Sequence, residues 1–138
     1  MGHALKEVWR LLSTGGTLID LRPIATHWPI DVLIKGSALP VGTIDGTLRT
    51  PHDNASNRAM AAAVRKGQFT KESEAYFEFA YYWDSLDELK AYVDNCWSDT
   101  AVLPESAIAQ VHRLVMANPT QPKIRIRRQM MIARYRRL

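Results

Sequence analysis

Residues 4–23 read ALKEVWRLLSTGGTLIDLRP. Leu5, Val8, Trp9 and Leu12 fall at i, i+3, i+4 and i+7, the apolar stripe of an amphipathic helix over 4–12. Lys6, Glu7 and Arg10 lie off that stripe. Gly15 or Gly16 can adopt the left-handed conformation that stops a helix, because glycine has no Cβ to clash. Residues 17–22 are then short, apolar and partly β-branched, as a buried strand is. Pro23 cannot donate a ladder hydrogen bond, so the strand ends there.

Outward from this stretch the texture changes. Between Pro23 and Pro51, four prolines and three glycines punctuate two β-prone pieces, 31–35 (DVLIK) and 41–48 (VGTIDGTL). Residues 36–40 turn the chain between them, which predicts a loose hairpin. Asp53, Asn54 or Ser56 can cap an alanine-rich helix over 55–66 that Gly67 closes. Residues 74–83, EAYFEFAYYW, alternate with period two and predict a strand. That strand is expected to bury Phe77, Phe79, Tyr81 and Trp83. Ser85 and Glu88 fit a capping box. The helix it opens should carry Leu86, Leu89, Tyr92 or Val93, and Cys96 on its buried stripe, leaving Cys96 an inert thiol. A further helix spans 104–116, with Ile108, Val111, Leu114 and Val115 as its stripe. The chain closes on a strand over 123–135, where Ile124, Ile126, Met130 and Ile132 share one parity and Arg128 interrupts it.

Composition sets the class. At 138 residues, 46% hydrophobic and 23% charged, the chain reads as one soluble globular domain over 1–138. No apolar run approaches the roughly 20 residues of a membrane helix. One cysteine excludes an internal disulfide framework and a multi-cysteine metal site. A cytoplasmic location is the simplest expectation. The expected fold class is α+β: a small mixed, mainly antiparallel sheet of four to five strands including the hairpin, with three to four packed helices. Charge is uneven. Residues 121–138 hold seven basic side chains and no acid, whereas the preceding residues hold eleven basic against fourteen acidic, a net of −3. Lys123, Arg125 and Arg127 are therefore candidate nucleic-acid contacts. Pairing of that face with acids such as Glu74 and Glu78 on a neighbouring strand is the favoured reading.

The EVWRLL helix, its GG turn and the following strand closely resemble a junction inside class I S-adenosylmethionine-dependent methyltransferases, where such a helix leads into the fifth sheet strand. YYWDSLDELKAYV resembles the sixth strand and following helix, and the terminal strand resembles the seventh. The resemblance spans most of the chain, and it implies the C-terminal half of that fold without the cofactor-binding half. The family's glycine-rich turn after the first strand and its ribose-reading acid have no counterpart here. Gly15-Gly16 runs from helix to strand, the reverse of a nucleotide-binding turn, and no G-x-G-x-x-G occurs. No cofactor, metal or catalytic residue is therefore assigned, and no methyltransferase activity is expected of the isolated chain. The edge after the first strand faces the substrate in that family. This makes Asp20, Arg22, His27 and Trp28 candidate ligand residues, against the bland alternative of a solvated loop with one packing tryptophan. His52 and Asp53 read as capping residues.

Three functions follow: an oligomeric, non-enzymatic interaction protein; a methyltransferase subunit completed by a partner chain; or a small-molecule binding module using a cleft beside the hairpin. The resemblance leaves residues 17–22 as an apolar edge with one strand neighbour, to be covered by the hairpin of residues 31–48 or paired with another chain. A homodimer is expected, its interface including the first helix and strand or the hairpin laid against them.

Overall fold

The computed structural model describes residues 2–138. In chain order the elements are α1 (Gly2–Leu11), β1 (Thr17–Pro23), β2 (His27–Ile34), β3 (Ser37–Asp45), α2 (Thr50–Arg65), β4 (Phe69–Trp83), α3 (Leu86–Tyr92), α4 (Glu105–Ala117) and β5 (Lys123–Arg137). Four α-helices and a five-stranded open sheet among the described residues make this a small α+β fold. The strand pairs β1–β5, β2–β3 and β2–β5 are all antiparallel. Contacts divide the chain into two compact units. The first comprises the residues up to Ile24, Arg49–Phe77 and Met130–Leu138; the second comprises Ala25–Leu48 and Glu78–Gln129.

In the first unit, Gly15 has φ +79, the left-handed residue past the end of α1. Its N–H donates to the Arg137 carbonyl at 2.9 Å, and the Arg137 N–H donates to the Gly16 carbonyl at 2.8 Å. These two bonds set the register of β1 against β5, from Thr17 opposite Arg136 to Pro23 opposite Met130. The expected stripe, Leu5, Val8, Trp9 and Leu12, packs with Leu18 on a small core of Met60, Ala63, Phe69, Met131, Ala133 and Tyr135. Trp9 is half-buried beneath the Arg137 guanidinium, 4.6 Å from its ring centre. Helix α2 starts five residues earlier than expected. Pro51 sits in its first turn with φ already suited to a helix, and no side chain caps it, so Asp53, Asn54 and Ser56 lie inside.

In the second unit the hairpin is tighter than the sequence implied. Lys35 and Gly36 both have positive φ, and Ile34 pairs Ser37, giving a two-residue turn. Pro40, read as part of the loop, instead lies in edge strand β3, where its missing N–H costs no ladder bond. The register shifts between Ile30 and Asp31, which takes up the irregularity. The core is aromatic. Trp28, Ile30, Val32, Trp83, Leu89, Val93, Trp97, Ile124 and Ile126 are buried together. Trp28 and Trp97 meet edge-on at 5.1 Å. A Cβ at Gly46 would come within 2.3 Å of the Trp28 indole nitrogen, so glycine is required for this approach.

Three expectations are corrected. First, Phe77 and Phe79 are exposed, Tyr81 is half-buried, and only Trp83 of that quartet is buried. Strand β4 runs 15 residues, longer than either core, so period-two patterning continues where nothing covers it. Second, the buried parity of β5 changes along its length. Ile124, Ile126 and Arg128 are buried in the second unit, whereas Met131, Ala133 and Tyr135 are buried in the first. Met130 and Ile132 are therefore only half-buried, and Arg128 belongs to its core's parity rather than interrupting it. Third, Cys96 is exposed. The α3 helix widens into a π-turn over Val93–Trp97, which carries Trp97, not Cys96, into the core after Leu89 and Val93. The capping residue itself stands as expected: the Ser85 hydroxyl accepts from the Glu88 N–H at 3.2 Å.

Candidate functional site

The first unit contains a polar cleft. Helix α2 supplies Asn57, Ala61, Val64 and Arg65, spaced so that they share one helical face. Arg22 comes from β1, Lys71, Glu74 and Tyr76 from β4, and Tyr135 from β5. The cleft encloses about 560 Å³. Arg22 is held from three sides. Its Nε donates to Asp20 at 3.2 Å, one terminal nitrogen to the Asp53 carbonyl at 3.3 Å, and the other to the Asn57 side-chain oxygen. Lys71 donates to Glu74 at 2.6 Å, and the Tyr76 hydroxyl donates to the same carboxylate at 2.9 Å. The Lys71 ammonium and the Tyr76 hydroxyl hold the Glu74 carboxyl below its ordinary range. The hydrogen bond to Glu74 raises Lys71. Tyr135 is 95% buried, and burial pushes its phenol above the ordinary value.

The candidate ligand residues do not form one group. Asp20 and Arg22 pair in the first unit, and Arg22 lines this cleft. His27 and Trp28 belong to the second unit. His27 is exposed, 3.6 Å from Asp45, and Trp28 is fully buried beneath the Arg128 guanidinium at 3.9 Å. His52 and Asp53 lie in the first turn of α2, with the Asp53 carbonyl holding Arg22.

The candidate nucleic-acid contacts are acid-paired within the second unit. Lys123 meets Asp84 at 3.0 Å, and Arg125 meets Asp31 at 2.8 Å. Arg127 lies 3.0 Å from Asp31, at ion-pair distance though without hydrogen-bond geometry, and 3.5 Å from Glu78. Asp31 is 2% exposed, so two guanidinium groups enclose one buried carboxylate. In the first unit, Arg134 and Arg136 both meet Glu72. Lys123, Arg125, Arg127, Arg134 and Arg136 of the terminal strand are thus matched by Asp31 of β2, by Glu72 and Glu78 of β4 and by Asp84 just past it.

Sequence reasoning reached Arg22 but missed Asn57, Arg65, Lys71 and Tyr135. The i, i+4, i+7, i+8 spacing of Asn57, Ala61, Val64 and Arg65 was a readable signal. The strand pairing that sets β4 and β5 beside that face was not. Asp31 was findable as a lone acid in the apolar run HWPIDVLI. Among the described residues, no group of three or more His, Cys, Asp or Glu is placed to hold a metal ion, and no helix is long and apolar enough to cross a membrane.

The remaining open feature is the outer edge of β1. Its strand partner among the described residues is β5, and the β2–β3 hairpin pairs β5 rather than β1. Ile19 and Leu21 are 50% and 55% exposed. Comparison with models of known protein families, with curated proteins and with solved structures gives no match.

Proposed function

We propose that this chain is a non-enzymatic interaction protein of methyltransferase-like ancestry that pairs with a second copy of itself along the outer edge of β1. The observation that carries the reading is that edge. It has one strand neighbour, it exposes Ile19 and Leu21, and no lysine or internal proline discourages pairing. The edge is also self-complementary. In an antiparallel pairing about a two-fold axis at Leu21, Leu21 faces its own copy, and Asp20 of each chain faces Arg22 of the other. The pairing of residues 17–23 with the terminal strand agrees with the fifth–seventh strand neighbourhood that the methyltransferase resemblance implies.

Light scattering tests the assembly. A dimer at micromolar concentration is expected, and a monomer refutes the reading. Calorimetry tests the absence of catalysis. This chain contains no glycine-rich nucleotide turn and no ribose-reading acid after a first strand. It should therefore not bind S-adenosylmethionine, and micromolar binding would favour a catalytic subunit instead.

A further inference from the structure

We propose that the cleft between α2, β1, β4 and β5 in the first unit is a binding site for a small organic monocarboxylate with an apolar body. Three independent features point there.

The first is charge. Of the residues lining the cleft, Arg22, Arg65 and Lys71 are cationic and Glu74 is the acid. Asp20, bonded to Arg22, balances one more charge and leaves a surplus of one. Arg65 makes no ion pair among the described residues. A single carboxylate neutralises the cleft, whereas a phosphomonoester overshoots it.

The second is an unused donor. Tyr135 lines the cleft, and its hydroxyl makes no hydrogen bond among the described residues. A free hydroxyl on the cleft wall can donate to a ligand oxygen. Arg22 and Lys71, together with the Asp20 and Glu74 carboxylates bonded to them, act electrostatically on that phenol, so the hydroxyl sits beside the charged cluster. Tyr135 also stays protonated well past neutrality, which keeps it a donor.

The third is shape. Met60, Ala61 and Val64 give the cleft an apolar wall. Its volume of about 560 Å³ falls in the range of small-molecule sites, which combine such walls with a few converging polar groups. Arg22 is preorganised by Asp20, Asn57 and the Asp53 carbonyl, so binding does not have to order it.

The test uses octanoate as probe, with octylamine, octanol and octyl phosphate as comparators, titrated into the whole chain by calorimetry and by amide NMR. Octanoate should bind saturably at submillimolar concentration, with shifts centred on Arg22, Val64 and Tyr135, and more tightly than any comparator. Arg65→Gln should weaken octanoate about tenfold. Tyr135→Phe should weaken it several-fold without lowering the unfolding midpoint at neutral pH, since the hydroxyl it removes is unbonded. Three results would overturn the proposal: no saturable octanoate binding, binding of octanol, octylamine or octyl phosphate at least as tight, or undiminished binding by both variants. A dimer that forms normally yet fails to bind octanoate sinks this site and leaves the self-association reading standing.

Discussion

The two units solve the problem of burying a sheet with different materials. The second places three tryptophans, Trp28, Trp83 and Trp97, among isoleucine, leucine and valine, with Tyr81 and Tyr92 packed beside them. The first relies on methionine and alanine, with Phe69 and Tyr135 as its buried rings among the described residues. Charge follows the same division. In the second unit the guanidinium groups are used inward: Arg125 and Arg127 on a buried carboxylate, Arg128 over Trp28. In the first, Arg22, Arg65 and Lys71 line an open cleft. A core that is complete leaves little for a ligand or partner to add. The thinner unit retains an open cleft with a free hydroxyl on its wall and an unpaired strand edge, and that is where binding is expected.

The sharpest way to break this contrast is Trp28→Ala. It removes a fully buried ring that touches Trp97 and carries Arg128, and should cost about 3–5 kcal/mol of unfolding free energy. Asp31→Ala comes next. It strands Arg125 and Arg127, but both side chains are partly exposed, so the loss should be about 2 kcal/mol, below the value for a fully buried pair. Denaturant titration measures both. Equal loss from Trp28→Ala and from a surface control would mean that the aromatic core is not what stabilises the second unit.

Alkaline pH compares the units through their tyrosines. Burial raises both Tyr135 and Tyr92. A raised folded value contributes stability that is fully present below the ordinary tyrosine range, near pH 10, and is lost as pH rises above it. The unfolding midpoint should therefore fall above that range. Tyr135→Phe and Tyr92→Phe should each remove part of the fall, and a fall unchanged in both would show that neither phenol is shielded. The smallest effect belongs to Phe79→Ala. Its ring is 46% exposed, so the cost should stay under about 1 kcal/mol.

That last figure marks where the sequence misled. Regular alternation along β4 was legible, and the strand is there, but alternation reports a strand and not what covers it. Phe77 and Phe79 keep the pattern without a core above them. The parity change in β5 was hidden for a related reason. Met130-Met131-Ile132-Ala133 is apolar on both parities, so only the tertiary partners choose which is buried. Cys96 lost its core position to Trp97 through a π-turn that no residue in the stretch announces. Local signals carried further. The α1 stripe, a stop at Gly15 or Gly16, the β1 strand (though not the burial expected of it, since none of its residues is buried) and the Ser85 cap were readable because each is fixed by neighbours in sequence. The cleft was not, because Arg22, Arg65, Lys71 and Tyr135 are distant in the chain and share a site only through strand pairing.

The most direct test of the central claim is sedimentation equilibrium of the natural chain beside an Ile19→Lys/Leu21→Lys double variant. These two side chains are exposed, unlike Leu18, which packs in the core, so the variant should fold normally. We predict a dimer for the natural chain and a folded monomer for the variant, because lysine on an edge strand discourages pairing. A monomeric natural chain, or a variant that remains dimeric, would contradict the account.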